Sequence, residues 1–293
     1  MSEYKILTTP AGKDYELLDS GDGEKLERYG EVVVARPDPQ SLWNKNLSES
    51  EWEQADAYFT RDSRDANWSV RRDLPDRWPV ALAGLKFWIK LSAFKHTGIF
   101  PEQVGNWNWI REKIDQAKRT EPVRVLNLFG YTGGASLAAA QAGAEVVHVD
   151  GSKSAIGWAR DNATLSDLSE KPIRWILDDA QKFVAREIKR GKKYDGIIMD
   201  PPAFGHGAEG EVWKIEEDLL PLLDSCTQIL SDNPLFFIIN GYASGYSALA
   251  YQNSLGDLMK NFGGHVEIGE LTISEKNTQR LLPAGIFARW SSV

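Results

Sequence analysis

The chain has 293 residues, 42% hydrophobic and 26% charged, room for one large α/β domain and a smaller one. One cysteine excludes an internal disulfide or a metal-cysteine cluster, and four histidines, none paired at i+4, give no zinc signature. A net charge of −8 counts against a surface coated in cations; no run of about 18 apolar residues offers a membrane span, and the first residues lack a signal-peptide core, so a cytoplasmic protein without bound metal is expected.

Residues 15–18 and 32–35 read as short strands, separated by a turn at Gly21, Asp22 and Gly23 and by a polar segment. Residues 48–59 read as one helix, capped by Ser48 or Ser50, with Trp52, Ala55 and Phe59 on one face. Residues 66–71 and 85–91 supply further strands. The order strand, strand, helix, strand, strand predicts a small α+β lobe over 1–84, a candidate for substrate recognition, followed by a larger domain over 85–293. Arg61, Arg64, Trp68, Arg71, Arg72, Arg77 and Trp78 form the densest basic-aromatic stretch, diluted by Asp62, Asp65, Asp73 and Asp76. Arginines clamp phosphates and tryptophans stack on bases, but such runs are as often salt-bridged loops. Both readings stand.

A helix over 106–120 leads into an apolar strand over 123–129, then a tight turn with Gly130, Gly133 and Gly134. Small residues over 135–142 make a helix that packs close to a sheet, and Gly143 suits its C-terminus. A second strand over 145–149 delivers Asp150. Turn and acid thus lie at strand carboxyl ends, where open α/β sheets bind ligands. The turn lacks the G-x-G-x-x-G spacing of a dinucleotide site and the Lys-Ser or Lys-Thr ending of a P-loop. A carboxylate here can accept from both hydroxyls of a ribose. A nucleoside without a phosphate chain fits, and S-adenosylmethionine is such a ligand. An NAD-dependent oxidoreductase shares the α/β pattern but lacks the fingerprint.

Residues 153–165 form the next helix, with Ser152 or Ser154 as cap. A third strand over 173–177 ends at Asp178-Asp179, and a helix runs on to 190. A fourth strand over 194–199 delivers Asp200-Pro201-Pro202-Ala203-Phe204. The prolines remove donors and fix the backbone, so the local carbonyls are expected to be free to face a ligand. Asp200 can accept from an amine or take a proton, and Phe204 can stack on a planar substrate. Residues 205–210, rich in glycine, suggest a lid. A helix over 212–230, a fifth strand over 234–240 ending at Asn240, a helix over 246–262, and strands over 266–273 and 286–288 complete the pattern, with 280–283 as the last loop.

The ordered set Asn127-Leu-Phe-Gly-Tyr-Thr-Gly-Gly134, Val149-Asp-Gly-Ser152, Asp178-Asp179-Ala180 and Asp200-Pro-Pro-Ala-Phe204 resembles the class I S-adenosylmethionine-dependent methyltransferases. Within them it is similar to the bacterial branch that methylates large-subunit ribosomal RNA, which carries N-F-x-Y-T-G-G and D-P-P-x-F. The resemblance runs from about residue 85 to the end. It implies a Rossmann-like seven-stranded sheet with S-adenosyl-L-methionine as cofactor. The implied cofactor residues are Phe100, Gln103, Asn127, Phe129, Tyr131, Thr132, Gly133, Asp150, Ser152, Asp179 and Asp200. Asp179 is the better match for the adenine amino group, Asp178 the second, and helix capping is the alternative for either. Asp200, Pro201, Pro202 and Phe204 are the implied catalytic set. The 102–103 pair is Glu-Gln where many relatives have Asp-Gln or Asp-His.

Cytosine C5 methylation needs a cysteine nucleophile, which relatives place just after the fifth strand. Here that place holds Asn240-Gly241-Tyr242, and Cys226 lies in the preceding helix. The asparagine resembles relatives that methylate guanine N7. An RNA substrate methylated at nitrogen is expected; a protein or small-molecule substrate is the alternative, and the oligomeric state is left open.

Overall fold

The computed structural model describes residues 4–61, 66–92, 95–207, 209–242 and 245–292. It divides into two units. One comprises Met1–Ile6, Asn106–Glu270 and Gly285–Val293; the other comprises Leu7–Gly105 and Leu271–Ala284. The boundary expected after residue 84 falls within the Leu7–Gly105 run.

In chain order the strands are β1 Tyr4–Thr9, β2 Tyr15–Gly21, β3 Glu24–Tyr29, β4 Val32–Pro37, β5 Ala57–Arg61, β6 Ala66–Val70, β7 Trp78–Leu82 and β8 Leu85–Ile89. They continue as β9 Arg124–Leu128, β10 Glu145–Asp150, β11 Ile173–Leu177, β12 Gly196–Met199, β13 Phe204–His206, β14 Val212–Lys214, β15 Phe236–Gly241, β16 His265–Ser274 and β17 Leu281–Ser291. The helices are α1 Glu49–Trp52, α2 Val104–Gln116, α3 Gly134–Gln141, α4 Lys153–Leu165, α5 Ala180–Lys189, α6 Ile215–Thr227 and α7 Ala248–Met259.

The main sheet has the order β1-β16-β17-β15-β12-β9-β10-β11. The strands from β15 to β11 pair in parallel, and β17 adds antiparallel to β15. This is the expected α/β sheet with one further edge strand, β1. Alternation along the strands sorts the core into two layers. Leu126, Leu128, Val147 and Val149 pack with Phe183, Val184, Leu222 and Leu223 from α5 and α6. Val125, Val146, Ile198 and Ile238 pack with Ile110, Ala139 and Ala140 from α2 and α3. The alanines of α3 let that helix lie close, and Gly134 at its start leaves room that a Cβ would contest with the Trp107 ring.

The second unit is built on a five-stranded sheet, β2-β3-β4-β5-β6, and the β7–β8 hairpin. Three expectations are corrected here. The polar segment after Gly23 is strand β3, whose inward Glu27 takes a bidentate Arg36 and the hydroxyls of Tyr15 and Tyr29. The helix expected over 48–59 is a single turn, α1, closed by a Ser48–Glu51 capping box. Asp56 ends it by accepting from the Val33 amide at 2.8 Å and donating its own amide to the Val33 carbonyl. That bond aligns Ala57 beside Val34 in parallel pairing, so Phe59 lies on a strand. Strands β1 and β7 are also additional to the expected pattern.

Of the basic-aromatic stretch, Arg64 lies outside the described residues, as do Asp62 and Asp65. Arg72 is paired with Asp56, and Arg71 sits 4.4 Å over the Tyr58 ring. The Arg72–Asp56 pair supports the salt-bridged reading for Arg72.

Candidate functional site

The loop after β9 is under backbone strain. Phe129 and Tyr131 hold φ of 56° and 49°, and Gly133 holds 94°. A left-handed non-glycine residue costs about 1–3 kcal/mol, and such strain persists where surrounding structure enforces it. The enforcement is visible. The Tyr131 amide donates to Asp150 Oδ2 at 2.8 Å, and the Ser152 amide to Oδ1 at 2.8 Å. The Gly130 amide donates to the Val149 carbonyl at 3.0 Å. Asp150 therefore ties the loop after β9 to the start of α4. Each carboxylate oxygen keeps a further acceptor position, enough for the two hydroxyls of a ribose. Burial raises the Asp150 carboxyl above its ordinary value, against the lowering effect of the two amides.

Asn127 does not face that crevice. It is 3% exposed and donates to Ser136 Oγ of α3 at 2.9 Å. Strand register puts Asn127, His148 and Trp175 in one row across β9, β10 and β11. Ser136 Oγ also lies 2.9 Å from His148 Nδ1. Its oxygen already accepts from Asn127, so its proton is available to His148. Burial drives the imidazole down to about 3, so it is neutral. Nε2 forms no hydrogen bond of normal geometry. The His148 ring fills the space that a Cβ on Gly130 would need. This row was missed in the sequence because residues 145–149 were read only as the strand that delivers Asp150. The signal was the alternation of His148 with Val146, which sends both to the α3 face.

Asp178 and Asp179 have local partners. Asp179 caps α5 through Oδ1, 2.9 Å from the Lys182 amide. Asp178 accepts the Asp179 amide and pairs with Arg186. Ser152 caps α4, accepting from the Ala155 amide at 3.3 Å. Thr132 is buried, with its carbonyl accepting from Asn162 at 3.0 Å. Phe129 packs 4.9 Å from Trp213, and Tyr131 lies 6.3 Å from Trp158, centroid to centroid.

At the end of β12, burial pushes the Asp200 carboxyl up to about 6. The expectation of free carbonyls beyond it is corrected at two positions: Pro202 accepts from Trp213 Nε1 at 2.7 Å, and Ala203 from the Ile215 amide at 3.1 Å. The helix expected from residue 212 starts at Ile215, because residues 212–214 pair with 204–206 as a hairpin. The strained loop, the Asp150 carboxylate and the desolvated Asp200 all belong to the carboxyl ends of neighbouring parallel strands.

A sequence profile described as S-adenosylmethionine-dependent methyltransferase matches residues 55–245. The chain belongs to that family. Its cofactor is S-adenosyl-L-methionine, and the loop fits such a group: Asp150 keeps acceptor capacity for a diol, and Asp200 is a desolvated carboxylate that a cation would stabilise. A crystal structure of a SAM-dependent methyltransferase from Agrobacterium tumefaciens is 43% identical, covers 99% of this chain and 94% of its own, and superposes with a TM-score of 0.93. Ribosomal RNA large subunit methyltransferase K of Neisseria meningitidis is 27% identical over 76% of this chain and 64% of its own length. The K/L enzyme of a Shewanella species is 33% identical over 51% of this chain and 21% of its own. The methyltransferase thus spans less than two thirds of the curated relatives it matches.

Asn240 of the methyltransferase is 4% exposed, and its Oδ1 accepts from Asn106 at 2.8 Å. Asn106 in turn accepts from Arg289 at 3.2 Å, and Arg289 pairs with Glu267 at 2.8 Å. The side chain matched to guanine-N7 relatives is therefore part of a buried network that fastens β15 to α2. Cys226 is fully buried in α6, and burial raises its thiol far above the ordinary range. Phe100 and Gln103 belong to the second unit, Phe100 beside His96 and Gln103 buried in the turn before α2. Among the described residues there is no group of three side chains suited to hold a metal, and no helix long and apolar enough to cross a membrane.

Proposed function

We propose that this methyltransferase acts on RNA, of the large ribosomal subunit, at a nitrogen atom. The observation that carries the reading is Asp200-Pro201-Pro202-Ala203-Phe204 at the end of β12, beside a strained loop braced by Asp150, in a chain whose relatives are named ribosomal RNA methyltransferases. The bound cofactor supplies an electrophilic methyl on a sulfonium. Asp150 binds the ribose diol, and the second oxygen of Asp179 takes the adenine amino group. Phe129, Tyr131, Thr132, Gly133 and Ser152 shape the loop around them. Asn127 supports it from beneath. Phe100 and Gln103 are kept as cofactor residues on the motif resemblance alone. Asp200 accepts from the target amine and holds it in line; Pro201 and Pro202 fix the backbone that aims it; Phe204 stacks on the target base. Positioning of this kind, with water excluded, is the main demand of methyl transfer from a sulfonium. The lobe over 1–84 recognises the substrate. The reaction belongs in the cytoplasm, where ribosomal RNA is assembled.

The net charge of −8 favours a second reading, a protein or small-molecule substrate. One experiment separates them. Calorimetry with S-adenosylmethionine is expected to show micromolar binding that Asp150→Ala abolishes, and radiolabelled methyl is expected to appear in large-subunit ribosomal RNA. Label in protein or small molecules with none in RNA would favour the second reading. No binding by the folded wild type would reject the site.

A further inference from the structure

Strands β9 and β12 lie side by side, but their pairing ends at Leu128 and Met199. Beyond that pair no ladder keeps the loop after β9 in register with the Asp200 segment. Over Pro201 and Pro202 there is no main-chain N–H, so hydrogen bonds can hold that stretch only through its carbonyls. Trp213 takes one of them: its Nε1 donates to the Pro202 carbonyl at 2.7 Å. The same indole packs on the other loop, its ring 4.9 Å from that of Phe129. Phe129 is one of the two left-handed residues in the loop that Asp150 braces, and strained backbone of this kind persists only where its surroundings enforce it.

Trp213 is itself fixed. It is buried in the middle of β14, paired with Gly205 of β13. Alternation sends both to the same side of the hairpin. Gly205 leaves the Pro202 segment room to lie there, since a Cβ on it would stand 3.2 Å from the Pro202 ring. The turn of the hairpin is braced as well: the Gly207 amide donates to the Glu211 carbonyl, and Lys182 of α5 pairs with both Glu209 and Glu211. The segment read as a lid is thus a paired element clamped to α5, and it presents the indole from a fixed support.

We propose that Trp213 is a positioning residue for methyl transfer: one indole fixes the cofactor loop, through Phe129, and the Asp200-Pro201-Pro202 segment, through the Pro202 carbonyl, at a set separation. The inference rests on the reading of Asp200 above as the group that holds the target atom. Transfer needs the methyl carbon and the accepting electron pair in line, and a misplacement of about 1 Å can cost about a hundredfold in rate. The donor side is set by the loop after β9 and the acceptor side by the segment after β12. Trp213 bridges the two past the point where strand pairing stops.

The test uses the full chain and separates the two contacts. Trp213→Phe keeps a ring beside Phe129 and removes the N–H; Trp213→Leu removes both. Affinity for S-adenosylmethionine is read by calorimetry. The transfer rate at saturating cofactor is read by radiolabel on large-subunit ribosomal RNA transcripts, or on protein or small-molecule fractions where wild type labels those instead. The acceptor that wild type labels thus decides the RNA reading, and the variants compared on that acceptor decide this one. Trp213→Phe is expected to keep the dissociation constant within about twofold while the rate falls about tenfold. Trp213→3-benzothienylalanine, which keeps the bicyclic volume without the donor, is expected to show the same slow rate at the wild-type melting temperature, which a loss of packing would not give. Trp213→Leu is expected to lose rate and also to weaken cofactor binding about tenfold. Phe129→Leu should weaken binding similarly, and the double variant by less than the product of the two. A wild-type rate in both donor-free variants would overturn the inference. So would a rate that falls only in step with melting temperature and cofactor affinity, because that is the mark of packing alone.

Discussion

At the residue scale, Asp200 sets a pH dependence. Burial holds its carboxyl at about 6, against about 3.9 in an unfolded chain. The folded value is raised, so the native state binds more protons than the unfolded one between the two values. The stability this group contributes is fully present below about 3.9 and is lost as pH rises through about 6. Function runs the other way, because the ionised form is the one that accepts from an amine. The acid limb of kcat/KM is therefore expected near pH 6 and absent from Asp200→Asn. That variant is also expected to be more stable than wild type at neutral pH, on the order of 1–3 kcal/mol, while losing transfer activity. A variant no more stable than wild type, with the acid limb intact, would place the responsible group elsewhere.

At the scale of elements, the loop after β9 depends on the row beneath it. Ser136 joins Asn127 to His148, and His148 fills the space under Gly130. Ser136→Ala leaves a buried amide donor and a buried imidazole nitrogen unpaired, at roughly 1–3 kcal/mol each. Some of that cost is expected to fall on the loop, so the urea midpoint should drop and the dissociation constant for S-adenosylmethionine should rise. Ser136→Thr keeps a hydroxyl and should recover much of both. Unchanged affinity in a destabilised Ser136→Ala would confine the row to a packing role. The same elements show what local sequence can tell. α4 and β11 match their expected bounds, because clear periodicity meets a good cap at Ser152. The loop and Asp150 were legible from glycine spacing and strand ends. The 48–59 helix was not: its i+3 and i+4 pattern was real, but Asp56 found a partner in β4, and a strand pairing outweighed the local pattern. The 204–214 hairpin was hidden for a similar reason, because its glycines looked like a loop and only cross-strand pairing gives them a fixed shape.

At the scale of the whole molecule, the two units are interleaved in sequence. The chain leaves the first unit after Ile6, returns at Asn106, leaves again after Glu270 and returns at Gly285. Strands β1, β16 and β17 each cross those points, so neither unit is a continuous segment. Composition and local pattern cannot reveal this, because a motif scan sees a domain begin where its first motif begins. The consequence is measurable in a fragment cut at residue 85, where the family motifs start. It would keep 271–284 but lose 7–84 of the same unit. Leu271, Ile273 and Leu282 are each at most 1% exposed in the intact chain. Glu275 would lose Ser20, and its neighbour Lys276 would lose Glu16 and the Leu17 carbonyl. Exposing three such side chains forfeits about 1.5–3 kcal/mol each, a sum comparable to the 5–15 kcal/mol that holds a typical domain together. The fragment would also lose β1 and leave β16 as an unprotected edge. It is therefore expected to aggregate or to show no cooperative melt by circular dichroism, although it contains every cofactor motif. A soluble 85–293 fragment with a sharp melt and micromolar S-adenosylmethionine affinity would show instead that β1 and residues 7–84 contribute little to its stability.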